Sequence, residues 1–279
     1  MTAATVTIGG DHTVERMGVG ALHIAGSGSW GEPRDKRTAL ALLRRVVERG
    51  VQLIDTADSY GPAVSETLIA EALHPYPKGL VIATKGGLTR PSAGRWDADC
   101  RPAHLREACE ASLKRQKIER IDLYQLHTVD PNVPLEDSIG ALAELQKQGK
   151  IRHIGVSNFD TRQLARARKV ATIVSVQNHY NLGDRSSDRV IDVCEKDGLA
   201  FLPWYPLHGR SAVTSSPKLR EAARVHNAST AQLVLAWLLR RSPCVLPIPG
   251  TSSIEHFEEN WAARDITLSD DEYAAFGRA

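Results

Sequence analysis

Short apolar runs alternate with amphipathic segments along nearly the whole chain. The runs have no polar alternation, which is typical of strands buried on both faces of a parallel sheet. They predict strands at 17–21, 51–55, 79–84, 121–126, 151–156, 172–177, 199–203 and 244–248. The amphipathic segments between them predict helices at 35–49, 62–73, 102–116, 136–149, 160–169, 184–197, 217–226 and 253–262.

Eight strand–helix pairs in 279 residues predict an α/β fold of the (β/α)8 TIM-barrel type, because such barrels need about 250 residues. No low-complexity linker interrupts the chain, so residues 1–279 are expected to form one domain. Two segments fall outside the alternation. Residues 5–16 predict an N-terminal β-hairpin that turns at Gly9-Gly10-Asp11, and 229–241 predicts an extra exterior helix.

The glycine-rich segment 26–31 matches the G-x-G-x-x-G pattern of dinucleotide-binding folds. That fingerprint requires the later glycines to open a helix, whose N-terminus then faces the pyrophosphate. Here Glu32-Pro33-Arg34 intervenes, the better N-cap is Asp35, and bulky Trp30 occupies the supposed turn. The pattern therefore favours a flexible loop over 25–33 at the mouth of a barrel.

Composition narrows the class of protein. The chain has 35 basic and 33 acidic side chains, a net charge of +2, with no basic stripe, which argues against a nucleic-acid partner. The cysteines, Cys100, Cys109, Cys194 and Cys244, form no C-x-x-C pair, and no signal-peptide pattern is present, so we expect a reducing cytoplasm and thiols used in packing. No apolar run reaches the roughly 18 residues of a membrane helix.

Polar residues with acid–base chemistry follow the predicted strands. Asp55 ends one run, Tyr60 lies on the next loop, Lys85 follows 81–84, and His127 follows 121–126. Because the active sites of such barrels lie at the carboxyl ends of the strands, these side chains are expected to meet there. Lys85 would lower the pKa of the Tyr60 phenol, Asp55 would keep Lys85 charged, and His127 would orient a substrate oxygen.

Each of these residues also has an ordinary structural explanation. A strand-end aspartate often caps a loop, a lysine is usually solvated, and a tyrosine or histidine at a rim is often only packed. Their occurrence at the ends of several strands of one barrel favours the catalytic interpretation over four separate coincidences.

Six motifs carry a resemblance to a known family. They are I-D-T-A-D-S-Y-G (54–61), A-T-K (83–85), D-L-Y-Q-L-H (122–127), G-K-I-R-H-I-G-V-S-N-F (149–159), V-Q-N-H-Y-N (176–181) and I-P-G-T-S-S-I-E-H-F-E-E-N (248–260). Together they closely resemble the aldo-keto reductases, from the first hairpin to about Asn260. The short chain looks most like bacterial members, including the pyridoxal reductase-like group.

The resemblance implies a barrel that binds NADP(H) without a Rossmann domain and reduces an aldehyde or ketone to an alcohol, with Tyr60 as proton donor. Asp55, Tyr60, Lys85 and His127 match the catalytic tetrad of the family. The residues that match its cofactor-binding positions, besides Asp55, are Gly20, Ala21, Leu22, Ser157, Asn158, Gln177, Trp204, Tyr205, Pro206, Leu207, Gly209, Ile248, Gly250, Thr251, Ser252, His256, Glu259 and Asn260.

Simpler interpretations of part of this set stay open. Ser157 and Asn158 could cap the helix that begins near Asp160, Gln177 could lie in a turn, and Trp204 could be packing. Many family members carry a lysine where Gly250 stands and an arginine at His256, both of which grip the 2′-phosphate. The sequence therefore predicts cofactor binding more firmly than it predicts a preference for NADPH over NADH.

Short loops after the strands predict an open, shallow substrate site. Trp30, Trp96 and His208 could line it and would suit planar or aromatic aldehydes, with pyridoxal a candidate by analogy, although Trp96 could equally anchor a surface loop. Two other functions stay open: a non-catalytic cofactor-binding regulatory subunit on the same barrel, and a lyase or isomerase using Lys85 as a Schiff base. A small-molecule carbonyl substrate is the expected partner, with no nucleic acid, membrane or metal, and a monomer is the default.

Overall fold

The structure is a computed structural model that describes residues 4–207 and 216–277. It begins with an antiparallel hairpin of β1 (Thr5–Ile8) and β2 (His12–Glu15), in which Ile8 pairs with His12. The turn falls at Gly9-Gly10-Asp11, as predicted, and both glycines have positive φ angles of 65° and 84°. Residues without a side chain adopt this left-handed conformation most easily, so the turn explains the glycine pair.

Seven parallel strands form the wall of a barrel, with neighbours in the sheet following their order in the chain. They are β3 (Val19–Gly20), β4 (Leu53–Asp55), β5 (Val81–Gly86), β8 (Ile121–Leu126), β9 (Ile151–Ser157), β10 (Ile173–His179) and β11 (Ala200–Trp204). The remaining two strands, β6 (Leu88–Thr89) and β7 (Asp97–Ala98), form a small antiparallel hairpin beyond β5.

The segment 244–250 closes the ring where the sequence predicts an eighth strand. The Phe201 amide donates to Cys244 O (2.9 Å) and the Leu246 amide to Phe201 O (2.8 Å), while the Gly18 amide donates to Pro247 O (2.9 Å). Pro247 and Pro249 have no N–H to donate, so the pairing is limited to single bridges and does not form a continuous ladder. The fold is a (β/α)8 TIM barrel with an N-terminal hairpin, as predicted.

Helices cover the barrel at the predicted positions, with ends that shift by a few residues. They are α1 (Lys36–Glu48), α2 (Val64–Leu73), α3 (Pro102–Gln116), α4 (Leu135–Lys147), α5 (Thr161–Ala167), α6 (Asp188–Asp197), α7 (Pro217–Val225), α8 (Thr230–Arg241), α9 (Ile254–Ala262) and α10 (Asp270–Phe276). The extra helix is α8, whereas α10 and the β6–β7 hairpin were not predicted.

The start of α1 settles the role of the glycine-rich segment. The Asp35 side chain accepts a hydrogen bond from the Thr38 amide at 3.0 Å, so the helix begins after Asp35, as predicted. Gly28 and Gly31 lie before it with positive φ angles of 65° and 69°. The glycines therefore shape a loop at the barrel mouth and do not open a helix toward a pyrophosphate.

Burial and helix length bear on two further expectations. All four cysteines are buried and unpaired, which agrees with thiols used in packing, and burial raises the pKa of Cys100 and Cys109 to about 12. Within residues 4–207 and 216–277, no helix is long and apolar enough to cross a membrane.

Candidate active site and cofactor cavity

The four predicted acid–base residues meet at the carboxyl ends of neighbouring strands. Asp55 is the last residue of β4, Tyr60 lies on the loop that follows it, and His127 comes directly after β8. Lys85 lies inside β5, not after it as the sequence suggested, because the strand begins two residues later than predicted and extends to Gly86. Its side chain therefore points into the barrel and is completely buried.

Three oxygen atoms surround the Lys85 ammonium group. Its Nζ donates to Asp55 Oδ2 at 2.6 Å, to the backbone oxygen of Thr56 at 2.8 Å and to Tyr60 Oη at 3.3 Å. Burial alone lowers the pKa of Lys85, but the Asp55 carboxylate and Tyr60 outweigh it and raise the pKa above its usual value. Lys85 is thus held charged against the phenol, which opposes its use as a Schiff-base nucleophile.

The pKa of the Tyr60 phenol differs from the prediction in its direction. Burial raises the pKa of the phenol, and although the Lys85 charge lowers it as expected, the net pKa lies above the usual value. Tyr60 therefore stays protonated at neutral pH, while the adjacent ammonium is ready to stabilise the phenolate that forms when the proton leaves.

His127 lies beside Tyr60 with its ring edge-on to the phenol, at a centroid distance of 5.9 Å. Burial, with a smaller contribution from the Lys85 charge, lowers the pKa of this imidazole well below its usual value. Ser59 Oγ lies 3.4 Å from His127 Nδ1. When this hydroxyl donates to Nδ1, the neutral ring carries its proton on Nε2 and can donate it to a substrate oxygen.

Two amide side chains hold the second oxygen of Asp55. Gln177 Nε2 donates to Asp55 Oδ1 at 2.8 Å, and Gln125 Nε2 donates to the same atom at 3.1 Å. Sequence reasoning missed Gln125, although its position two residues before His127 on a buried strand places it on the inner face. With Lys85 on Oδ2, the carboxylate is bonded on both oxygens and its orientation is fixed.

A further carboxyl group lies close behind this cluster. The Asp58 amide donates to the backbone oxygen of Lys85 at 3.3 Å, while Asp58 Oδ1 is buried with no hydrogen-bond partner among the described residues. Burial, followed by repulsion from the Glu66 carboxylate, raises the pKa of Asp58 to about 8. Asp58 is therefore mainly neutral at physiological pH.

A cavity of about 550 Å³ opens over the tetrad and extends to the start of α9. The predicted residues that line it are Gly20, Leu22, Asp55, Tyr60, Trp96, His127, Ser157, Asn158, Gln177, Trp204, Tyr205, Pro206, Leu207, Ile248, Gly250, Thr251, His256 and Asn260. His23, Leu88 and Pro249 also line it and were not predicted. Ala21, Ser252 and Glu259 are not part of the lining, and His208 and Gly209 fall outside the described residues.

Backbone strain marks one side of this cavity. Asn158 and Tyr205 have positive φ angles of 63° and 54°, which side chains other than glycine rarely adopt. Asn158 Nδ2 donates to the His127 backbone oxygen (3.0 Å), and its Oδ1 accepts from Trp204 Nε1 (3.0 Å). Asp160, not Ser157 or Asn158, caps helix α5, so the capping explanation fails. Trp204 ends β11 with 37% of its surface exposed at the cavity.

The other end of the cavity is formed by the start of α9. Ser253 caps this helix by accepting from the His256 amide at 3.2 Å, and Thr251 and His256 line the cavity beside it. Asn260, only 3% exposed, has a buried Oδ1 with no hydrogen-bond partner among the described residues. A buried acceptor at a cavity wall can accept a hydrogen bond from the amino group of a ligand.

Arg90 connects the two tryptophans predicted to line the substrate site. Its guanidinium lies 3.7 Å from the Trp96 ring centroid and 5.4 Å from that of Trp30. Trp96 lines the cavity edge-on to Tyr60 at 6.3 Å, whereas Trp30 lies behind Arg90 and is not part of the lining. Arg90 also donates to the backbone oxygens of Ser29 (3.1 Å) and Ser59 (3.4 Å). Trp96 therefore lines the cavity and also anchors its loop through Arg90.

The fold and this site define a reductase-type barrel, and comparison with known proteins gives its family. Residues 16–279 match the model of the aldo/keto reductase family. The chain belongs to this family, which confirms the resemblance drawn from the motifs.

Individual relatives agree with this assignment. The chain is 43% identical over 277 residues to pyridoxine 4-dehydrogenase of Escherichia coli K12, covering 97% of this chain and 96% of that protein. Among solved structures, the thermostable aldo-keto reductase Tm1743 in complex with the inhibitor epalrestat superposes with a TM-score of 0.87 at 32% identity, over 99% of both chains. An aldo-keto reductase from Klebsiella pneumoniae in complex with NADPH gives a TM-score of 0.85 at 29% identity, over 100% of this chain and 95% of that one.

Proposed function

We propose that this protein is an NADP(H)-dependent oxidoreductase that reduces an aldehyde or ketone to an alcohol, with Tyr60 as proton donor. One observation carries the proposal: the protonated Tyr60 phenol lies at the cavity wall, 3.3 Å from a lysine that Asp55 keeps charged. A neutral acid beside a fixed positive charge is suited to releasing a proton to a developing alkoxide.

The cavity has the donors, acceptors and flat surface that a nicotinamide nucleotide requires. The solved Klebsiella relative contains NADPH, which supports the same class of cofactor here. Ser157, Asn158 and Gln177 would hold the carboxamide, and the exposed Trp204 face would pack on the ring. At the far end, the orphaned Asn260 Oδ1 would accept from the adenine amino group. When bound, the cofactor supplies the hydride that reduces the carbonyl carbon.

The protein side chains orient the carbonyl group and donate the proton. The neutral His127 donates a hydrogen bond to the carbonyl oxygen and orients it toward Tyr60. Tyr60 Oη releases its proton to that oxygen as negative charge develops there, and Lys85 stabilises the phenolate that remains. Asp55, bonded to Lys85 through Oδ2, keeps the ammonium in place without contacting the substrate.

A planar aromatic aldehyde is the proposed substrate class. Tyr60, Trp96 and His127 present three rings in mutual edge-on contact, with centroids 5.9 to 6.4 Å apart, around the position that the carbonyl would occupy. The 43% identity to pyridoxine 4-dehydrogenase makes the pyridoxal–pyridoxine pair the first to assay.

A titration and one variant test the proposal. NADPH added to the protein should quench tryptophan fluorescence, because Trp204 and Trp96 both line the cavity. Tyr60→Phe should retain this quenching and lose at least about a hundredfold in kcat, the usual contribution of general acid catalysis. Absence of quenching by NADPH and by NADH would refute the reductase assignment. Retained kcat in Tyr60→Phe would refute the proton-donor role, and tight NADPH binding without turnover of any aldehyde would favour the regulatory subunit.

The polar groups at the start of α9 bear on the choice between NADPH and NADH. Here Thr251 and His256 line the adenine end of the cavity, and the backbone amides at the helix start favour an anion. We therefore propose that NADPH is preferred, with His256 contributing to the grip on the 2′-phosphate. His256→Ala should raise the Kd for NADPH and leave that for NADH unchanged, and an equal effect on both nucleotides would contradict this role.

A further inference from the structure

Three potential metal ligands, Asp11, His12 and His153, converge at the end of the barrel opposite the tetrad, and Asp122 lies beside His12. His12 begins β2, Asp11 lies in the turn before it, Asp122 is the second residue of β8, and His153 is the third residue of β9. The ligand atoms of Asp11, His12 and His153 all lie within 4.8 Å of one another. The hairpin thus meets two barrel strands through groups that bind transition metals.

Two distances in and beside this cluster can be compared with those of a tetrahedral site. His12 Nε2 lies 3.4 Å from Asp122 Oδ1, and His153 Nε2 lies 2.6 Å from Asp11 Oδ1. Ligands about 2.0–2.1 Å from a zinc ion at tetrahedral angles are separated by roughly 3.3 Å. His153 and Asp11 therefore need to separate by about 0.7 Å when the ion replaces the proton of their hydrogen bond.

His12 has an unsatisfied nitrogen that faces the other groups. Its Nε2 is buried and has no hydrogen-bond partner among the described residues, since the approach of Asp122 at 3.4 Å does not make a hydrogen bond. Buried polar atoms in proteins nearly always have a partner, so this nitrogen requires an explanation. A bound cation would supply the missing partner.

Charge and packing also favour a cation. Arg152 donates Nε and Nη2 to Oδ2 of Asp11, at 3.1 and 2.7 Å, so the other carboxylate oxygen is left to face His153. Arg152 Nη1 also lies 3.9 Å from Asp122 Oδ1, so the two carboxylates share this one guanidinium. The His153 ring lies flat against Gly9, where an added Cβ would come within 2.3 Å of it, so the imidazole is held in one orientation.

We propose that the base of the barrel contains a binding site for one divalent transition-metal ion of the zinc type. Its protein ligands are Asp11, His12 and His153, and Asp122 lies beside His12. The ion joins the N-terminal hairpin to β9 and acts on stability, because the site lies at the end of the barrel opposite the catalytic residues. Among the described residues, no other group of three such side chains comes this close.

The experiment uses the full chain after treatment with a chelator. Isothermal titration with Zn²⁺ should show one site per chain, and Co²⁺ should give the intense visible absorption of a tetrahedral complex. The melting temperature should rise with Zn²⁺ concentration. His12→Gln and His153→Gln should each weaken binding by more than the ten- to hundredfold typical of losing an outer partner of a ligand.

A matched control separates this site from ordinary histidine–carboxylate pairs. His226 Nε2 contacts Glu272 Oε1 at 2.8 Å, and His226→Gln should leave Zn²⁺ binding unchanged. Melting curves in chelator establish that each variant folds. If a histidine variant does not fold, Asp11→Asn provides a further ligand variant. Substoichiometric or weak binding, or binding unaffected by every ligand substitution, overturns the proposal.

Discussion

Replacement of Arg90 should change which aldehydes the protein reduces. Arg90→Met keeps the aliphatic stem but removes the guanidinium, which lies 3.7 Å from the Trp96 ring and donates to backbone oxygens of Gly28, Ser29 and Ser59. The cation–π contact is worth about 1–2 kcal/mol at a partly desolvated position. Without it, Trp96 loses the contact that holds it as a wall beside Tyr60.

The magnitude follows from the ring contacts that a substrate would lose. An edge-on aromatic pair contributes about 0.5–1.5 kcal/mol beyond its buried area, so loss of one such contact should raise KM for an aromatic aldehyde about fivefold. A short aliphatic aldehyde makes no such contact, and its KM should change little. Steady-state assays with pyridine-4-carboxaldehyde and propanal measure the two effects side by side.

Arg264 provides a control of the same kind at a distance from the cavity. Its guanidinium lies 3.6 Å from the Trp261 ring and its Nη1 donates to Glu15 at 2.9 Å. Arg264→Met should therefore lower stability without changing the ratio of the two KM values. An equal KM change for both aldehydes in Arg90→Met, or the same ratio change in Arg264→Met, would refute the reasoning.

Three further predictions follow from the buried groups. Reductive kcat should stay level between about pH 6 and pH 9, because His127 has its pKa lowered and Tyr60 has its pKa raised; a limb near the usual histidine pKa in a pH–rate profile would contradict this. Asp58 has a folded-state pKa of about 8, above its unfolded value of 3.8, so its contribution to stability is present at low pH and is lost as the pH rises toward 8. In urea titrations, the free energy of unfolding should fall with pH by up to about 1.4 kcal/mol per pH unit because of Asp58, and this contribution should be absent in Asp58→Asn. The same pH dependence in both proteins would show that Asp58 is not responsible. Gln125→Leu removes one donor from Asp55 and should lower kcat about tenfold with little change in KM, whereas unchanged kcat would show that Gln177 suffices.

The barrel and the tetrad could be predicted because both depend on local pattern. Buried parallel strands produce uninterrupted apolar runs, and their carboxyl ends converge whatever the loops do. Asp55 and His127 could therefore be placed at one rim from their positions alone. The two-residue shift at Lys85 shows the limit, since an apolar run does not mark whether a following lysine still belongs to the strand.

The contacts that shape the substrate side depend on distant parts of the chain. The β6–β7 hairpin lies in a polar stretch with no periodicity. The contacts of Arg90 with Trp30 and Trp96 join the connection between β6 and β7 to the loop before α1. Contacts between separate loops cannot be predicted from the spacing of residue types along the chain. The position of Gln125 in its strand places it on the inner face, but its hydrogen bond with Asp55 depends on the closed barrel.

The proline-rich closure of the barrel has a consequence for how the ring opens. Between the start of β3 and the segment 244–250, the amides of Gly18 and Gly20 donate to the oxygens of Pro247 and Pro249, and the prolines donate nothing in return. The barrel is thus closed at this point by few hydrogen bonds, all donated from one side. Gly20 and Gly250 lie on opposite sides of this closure, and both line the cavity. A molecule that contacts both Gly20 and Gly250 stabilises this pairing. Protection of the Gly18 and Gly20 amides from hydrogen exchange should therefore increase as the cavity is filled.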